Sequence, residues 1–177
     1  MSQFKNYFGY QKNFLSKPVP LPKLSKSQED DLAPVKDNDD ATANYINYSV
    51  QLSASRRFPF FSASNINGKL FRKLSREDKW RIDERVHKEH QWGPELYRAQ
   101  KSDFDRGHMT KREDVQWGHS VMAATKAADS TFFYSNAVPQ HARLNQRIWR
   151  LLEDYILHAE TKEHGLKICV FTGPVLR

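Results

Sequence analysis

A chain of 177 residues with a hydrophobic fraction of 38% is one domain's worth of sequence, long enough to bury a core without a metal or disulfide to hold it together. Its single cysteine excludes an internal disulfide and a cysteine-ligated zinc site. The net charge of +7 lies wholly between residues 41 and 112, because Lys and Arg balance Asp and Glu on either side of that stretch; such an excess fits a surface for a polyanion, and equally a solvated, charge-rich helix with loops.

Met1 to Tyr10 alternates aromatic with polar residues and builds no signal-peptide core, and no apolar run reaches the roughly 18 to 20 residues of a membrane span. The expectation is a chain with no membrane partner and no visible export signal, cytoplasmic by default. Residues 1–40 hold four of the eight prolines (Pro18, Pro20, Pro22, Pro34), the polar run Ser25 to Asp31 and the acid-rich run Asp37 to Asp40. They read as a lead-in outside the core, with the domain proper at 41–177.

From Tyr45 the pattern changes. Ile46, Tyr48, Val50 and Leu52 alternate with polar neighbours, the period of a half-buried strand, and a second apolar run, Phe58 to Phe61, follows. Asn67-Gly68 marks a turn. Residues 75–101, dense in charge and tryptophan and interrupted by Gly93-Pro94, read as a long excursion with some helix. Thr131 to Tyr134 is a short strand candidate ending at Ser135-Asn136. Leu144, Ile148, Leu151, Leu152, Tyr155 and Ile156 fall at three- and four-residue spacings, which predicts an amphipathic helix closed by Gly165. Leu166 to Thr172 is a last strand before Gly173-Pro174. The sum is an α+β fold.

Asp105, Arg106, Gly107 and His108 stand together just after the basic stretch. A histidine near its unperturbed pKa takes a proton from water at neutral pH, which suits a general base in hydrolysis. Arg106 beside it could hold a phosphate through two hydrogen bonds, and Gly107 would let the backbone turn tightly between them. Taken alone, the four residues fit a turn carrying a surface ion pair better than a catalytic site. His87 and His90 beside Glu89 have metal-ligand spacing but no third ligand nearby, so a solvated helix is the simpler reading. Trp80, Trp92, Trp117 and Trp149 could stack on bases; core packing is the simpler role, above all for Trp149 between apolar helix positions.

The residues downstream carry more. Ser135-Asn136, Pro139-Gln140, Leu144-Asn145, Trp149 and Leu152-Glu153, in register after Asp105-Arg106-Gly107-His108, resemble the DNA/RNA non-specific endonucleases, ββα-metal (His-Me finger) nucleases, over residues 41–174. Gly9-Tyr10, the Val19 to Pro22 lead-in and Trp117-Gly118 resemble the bacterial branch. The resemblance implies an antiparallel sheet with flanking helices and metal-dependent hydrolysis of phosphodiester bonds in DNA and RNA with little sequence preference. By the same resemblance His108 is the general base and Asn145 the side chain that ligates Mg²⁺ or another divalent cation such as Mn²⁺. Glu153, about 80° round the helix from Asn145, would hydrogen-bond water around the metal. Asn136 would hold the backbone near the site, and Arg106 or Arg76 would stabilise transition-state charge. Arg76, Trp80 and Asp83 match a family stretch that supplies a catalytic arginine, but two extra residues separate Arg76 from Trp80, which leaves Arg56, Arg57 and Arg72 as alternatives. DNA and RNA are the implied partners; homo-oligomerisation is left open, and nothing marks an inhibitor protein. In the family the Thr-Gly-Pro turn leads on to more strand and a further helix, so the expectation is a C-terminally short chain, with a catalytically inactive nucleic-acid-binding module as the second reading.

Overall fold

The structure, a computed structural model, describes residues 4, 7–36, 38–98 and 103–175. Among the described residues, six strands fall into two antiparallel groups. β1 (Thr42–Asn44), β2 (Tyr48–Leu52), β3 (Pro59–Asn67) and β6 (Lys167–Thr172) form a sheet in the order β1-β2-β3-β6, while β4 (Phe104–His108) and β5 (Ala137–His141) form a separate ribbon. A helix at Val121–Ser130 precedes β5, and a long helix at 144–162 follows it. The long helix has a central α segment, Arg150–Asp154, between wider π turns at Leu144–Trp149 and Tyr155–Lys162. The expected α+β architecture is therefore present, with its ββα unit made by β4, β5 and the long helix. No helix among the described residues is long and apolar enough to cross a membrane.

Tyr48, Val50 and Leu52 project from β2 into the main core with Ala127 and Phe133, while Phe61 and Ala63 on β3 pack beneath Tyr10, Leu21 and Leu24 of the lead-in. The sheet is covered on both faces. This corrects two expectations. Residues 1–40 are not outside the core, since Ala33 and Val35 are buried in it and Gly9 N donates to Tyr45 O; within that segment residues 1–3, 5, 6 and 37 lie outside the described residues. β2 is not half-buried, because Ser49, which should face solvent, is covered by the lead-in and its Oγ accepts from Tyr10 N. The strand also starts later than the alternation predicts: Ile46 and Asn47 make the β1–β2 turn, with Asn47 at φ 70.

The excursion expected at 75–101 is mostly irregular over residues 75–98, with single helical turns at Lys88–His90 and Pro94–Tyr97; residues 99–102 lie outside the described residues. It is anchored by a buried ion pair, in which Arg85 Nη2 and Nε reach Asp83 Oδ2 and Oδ1 at 2.7 and 3.1 Å, and by the Tyr45 hydroxyl donating to Asp83 Oδ2 at 2.5 Å. Thr131 to Tyr134 is not a strand. The helix Val121–Ser130, capped by Ser120, runs directly into it, and Phe132 and Phe133 are buried where the chain turns; the strand lies at Ala137–His141 instead.

The long helix forms where the apolar spacing predicts, but its stripe faces away from the body. Ile148 is 72% exposed and Leu151 65%, with Leu144, Leu152 and Tyr155 also exposed. Leu157 and Thr161 are the positions it buries, and it sits so close at Gly68 that a Cβ there would lie 2.0 Å from the Thr161 carbonyl oxygen. Burial is decided by the side that meets β3 and the Gly68–Leu70 turn, and a helical period carries no information about that side.

Candidate active site

β4 and β5 pair from Phe104↔His141 to His108↔Ala137, and the long helix leaves directly from the end of β5. This puts the Asp105 to His108 run beside the first turns of the helix. The expectation of a tight turn at Gly107 is corrected: Gly107 lies within β4 opposite Val138, and its missing side chain leaves room for Gln140, whose Oε1 would be 2.5 Å from a Cβ there. Two residues apart on a strand, Arg106 and His108 share one face. Trp80 packs on both, with its ring 4.6 Å from His108 and 5.4 Å from the Arg106 guanidinium.

His108 is wedged between Trp80 and Phe132, and its buried Nε2 has no hydrogen-bond partner among the described residues. Burial, followed by the positive charge of Arg76, pushes its pKa down to about 3, so the free protein holds a neutral imidazole at neutral pH. The segment after it is clamped by Asn136, whose Oδ1 accepts from Thr110 N at 2.9 Å and whose Nδ2 donates to the carbonyls of Thr110 and Thr131 at 3.0 and 3.1 Å. Asn136 is fully buried, so it fixes the backbone beyond His108 without reaching the cleft.

On the helix, Asn145 Nδ2 and Gln146 Nε2 both donate to Asp105 Oδ2, at 3.1 and 2.8 Å. That orientation leaves the Asn145 carbonyl oxygen without a partner among the described residues, as an oxygen ligand for a hard cation must be. Glu153 lines the same cleft; burial raises its pKa to about 7, against the opposing charge of Lys111. Behind it Asp114 is pushed up to about 8, chiefly by burial and next by the Glu153 charge. Glu113, Asp154 and His158 also bring one potential ligand atom each to within 4.8 Å of one another. The Lys111 ammonium already contacts both carboxylates, hydrogen-bonded to Asp154 and 3.6 Å from Glu113, and offsets one of the cluster's two negative charges.

The residues converge on an open cleft of about 900 Å³ lined by Arg76, Arg106, His108, Asn145 and Glu153, with Arg98, Lys111, Arg112 and Arg150 around it. Of the arginines left open by the sequence, Arg76 and Arg106 are in the cleft. Arg57 donates to the Lys88 and Gln91 carbonyls and lies over Trp92, and Arg72 donates to the carbonyls of Gly118 and His119, so neither points to it; Arg56 does not line it either. Trp149 is half-buried on the long helix, where the sequence suggested core.

Three residues in the cleft, Asp78, Lys111 and Arg112, were not singled out by the sequence, and Asp105, part of its motif, was given no role there. Asp105 orients the two helix amides. Arg112 donates to Ser75 O at 2.6 Å, which ties the Arg76 segment to the turn after His108. Lys111 holds Asp154. Asp78 pairs with Arg76 through two hydrogen bonds, at 2.6 and 3.0 Å. The one local signal was position: Lys111 and Arg112 follow His108 closely, and Asp78 is one of the residues separating Arg76 from Trp80.

Comparison with known proteins adds to this geometry. The sequence model of the DNA/RNA non-specific endonuclease family matches residues 33–177. The chain is 36% identical over 187 residues to the uncharacterised protein y4fB of Sinorhizobium fredii, which covers 97% of this chain and 28% of that protein. It is 36% identical over 100 residues to the mitochondrial endonuclease G of Homo sapiens, covering 56% of this chain and 30% of that one. Among solved structures, a chain of the EndoG/EndoGI complex superposes with a TM-score of 0.62 at 23% identity, over 75% of this chain and 52% of that chain. The chain thus spans about three-tenths of the length of these curated relatives.

Proposed function

Since this chain belongs to the DNA/RNA non-specific endonuclease family, we propose that it hydrolyses phosphodiester bonds in DNA and RNA with little base preference and with the help of a divalent cation. The observation that carries the reading is the convergence of His108, Arg76, Arg106, Asn145 and Glu153 on one basic cleft. His108, neutral at working pH, takes a proton from the attacking water as its oxygen bonds to phosphorus and the P–O bond to the leaving oxygen breaks. A base held down to about 3 by burial and by Arg76 is weak in the free protein. A phosphate lodged against Arg76 and Arg106 cancels that positive charge, so the basicity of His108 rises once substrate is in place.

Arg106 and Arg76 donate to the phosphoryl oxygens, where negative charge builds up in the transition state. The Asn145 side-chain oxygen, with the Glu153 carboxyl lining the same cleft, fits Mg²⁺ or Mn²⁺, hard cations that keep several waters and need few protein ligands. When bound, such a cation would supply charge neutralisation at the phosphate and support for the leaving oxygen. Asp105 keeps Asn145 turned toward that place, and Asn136 keeps His108 at the end of its strand. Low base preference follows from a grip through Arg76 and Arg106 on phosphates, contacts that carry no base information.

The test is cleavage of plasmid DNA and of RNA by the purified chain, with Mg²⁺ and with EDTA, beside His108→Ala. Cleavage that requires the cation and falls roughly 10²- to 10⁴-fold in the variant is the expected result. Cleavage within threefold of wild type in His108→Ala, or no cleavage by either protein, overturns the proposal.

A further inference from the structure

Asp78 stands in the place of a ligand. It lines the cleft together with Arg76, Arg106, His108 and Asn145, and its two carboxylate oxygens take the Nε and Nη2 of Arg76 at 2.6 and 3.0 Å. That two-pronged geometry is the one by which a guanidinium grips a phosphate. The pair is solvent-accessible, with side-chain exposures of 61% for Arg76 and 42% for Asp78, so it can open without disturbing the core. The backbone around it is fixed: Ser75 O is held by Arg112, and Trp80 is packed against His108, Phe132 and Tyr134. Exchange therefore needs only rotation of the Asp78 side chain.

We propose that Asp78 is an internal anion that occupies the phosphate-gripping edge of Arg76 in the free protein and is displaced by a backbone phosphate of the nucleic acid, so that it sets the affinity of the cleft for its substrate. The proposal rests on the reading of the cleft as a phosphodiester site. A surface ion pair of this kind shifts an equilibrium by no more than about fivefold, so the competition weakens binding without abolishing it. It also has a signature in salt. The ions released on binding are cations that had condensed on the phosphates the protein neutralises, and a displaced Asp78 carboxylate left beside Arg76 offsets the neutralisation that this arginine provides. Asp78 thereby removes about one phosphate contact from the salt dependence of binding while leaving the contact itself in place.

The experiment is fluorescence anisotropy with a labelled single-stranded oligodeoxynucleotide in EDTA, from low to moderate salt, on wild type, Asp78→Asn, Asp78→Ala and each of these in an Arg76→Ala background. Removing the carboxylate should tighten Kd roughly three- to fivefold at low salt, and the log–log salt slope should steepen by about 0.7, the single-strand value per phosphate. Both effects should vanish when Arg76 is absent. In cleavage assays KM should fall with Kd. An unchanged Kd and slope, or weaker binding in both Asp78 variants, overturns the exchange and assigns Asp78 to holding Arg76 in place. Oligonucleotide that binds none of the proteins overturns it equally. A wild type that binds but does not cleave plasmid in Mg²⁺ counts against the nuclease reading alone, since the exchange is read from binding.

Discussion

Replacing Asp114 by Asn should make the protein more stable, increasingly so as the pH rises. Asp114 is 8% exposed, and burial together with the charge of Glu153 raises its pKa from the ordinary 3.8 to about 8. A carboxyl with a raised folded pKa holds its proton more tightly in the native state than in the unfolded one. Its contribution to stability is complete below pH 3.8 and is lost progressively as the pH rises through 8. Over that window the loss runs at up to ~1.4 kcal/mol per pH unit, which sets an upper limit of ~4 kcal/mol at pH 7. Asparagine has nearly the same shape and never ionises. Urea unfolding of wild type and Asp114→Asn at pH 5, 6, 7 and 8 checks this, with the gap between the two midpoints expected to widen at each step. His108 contributes with the opposite sign, because its folded pKa of about 3 makes stability fall as the pH drops below 6.5. That acid limb should be common to both proteins. A constant gap from pH 5 to 8, or a variant that is less stable at pH 8, would refute the reasoning and mean that Asp114 is ionised in the fold.

Asn145→Ala should raise the Mg²⁺ concentration required for half-maximal cleavage, and a titration that overlays wild type would leave Asn145 as a partner of Asp105 only. Asn136→Ala removes three hydrogen bonds to buried backbone groups; at about 1 kcal/mol or more for each, it should lower the urea midpoint clearly and cut cleavage as His108 loses its support. Leu157→Ala, at a fully buried helix position, should cost about 2–5 kcal/mol, while Ile148→Lys, at a solvent-facing position of the same helix, should stay within about 0.5 kcal/mol of wild type. Equal losses at the two sites would show that the apolar stripe is covered. Ile148→Lys should also reduce light scattering on heating, since the exposed stripe on the long helix and the outer edge of β6, which pairs with β3 alone among the described residues, are the surfaces most prone to association.

The sequence by itself determined the composition of the cleft and the local states of several segments. Asp105 to His108 followed by Asn145 and Glu153 named the residues that the fold brings together, the 144–162 helix was written in its apolar spacing, and Asn67-Gly68 ended β3 as turn chemistry requires. Other elements were beyond local pattern. β4 is hidden because Phe104 to His108 carries functional polar residues in place of alternating apolar ones, and only its pairing with β5 makes it a strand. Thr131 to Tyr134 has the composition of a strand, yet it serves as the buried turn between a helix and β5 because its aromatics are needed in the core beside Tyr45 and Trp80.

Tertiary structure alone decided which face of each element is used. A helical period shows that an apolar stripe exists, while burial depends on which neighbour the helix meets, and here that is β3 and the Gly68–Leu70 turn on the side of Leu157 and Thr161. Likewise Asp105 on Asn145, Arg112 on Ser75 and Asp78 on Arg76 depend on rotamers and on backbone separations of a few ångströms, of which only Asp78 and Arg76 are close enough in sequence to have suggested each other. Local residue type fixes what a side chain can do. What it does is set by the partner that folding places within hydrogen-bond reach, and for Asp105 and Asn145 that partner is 40 residues away.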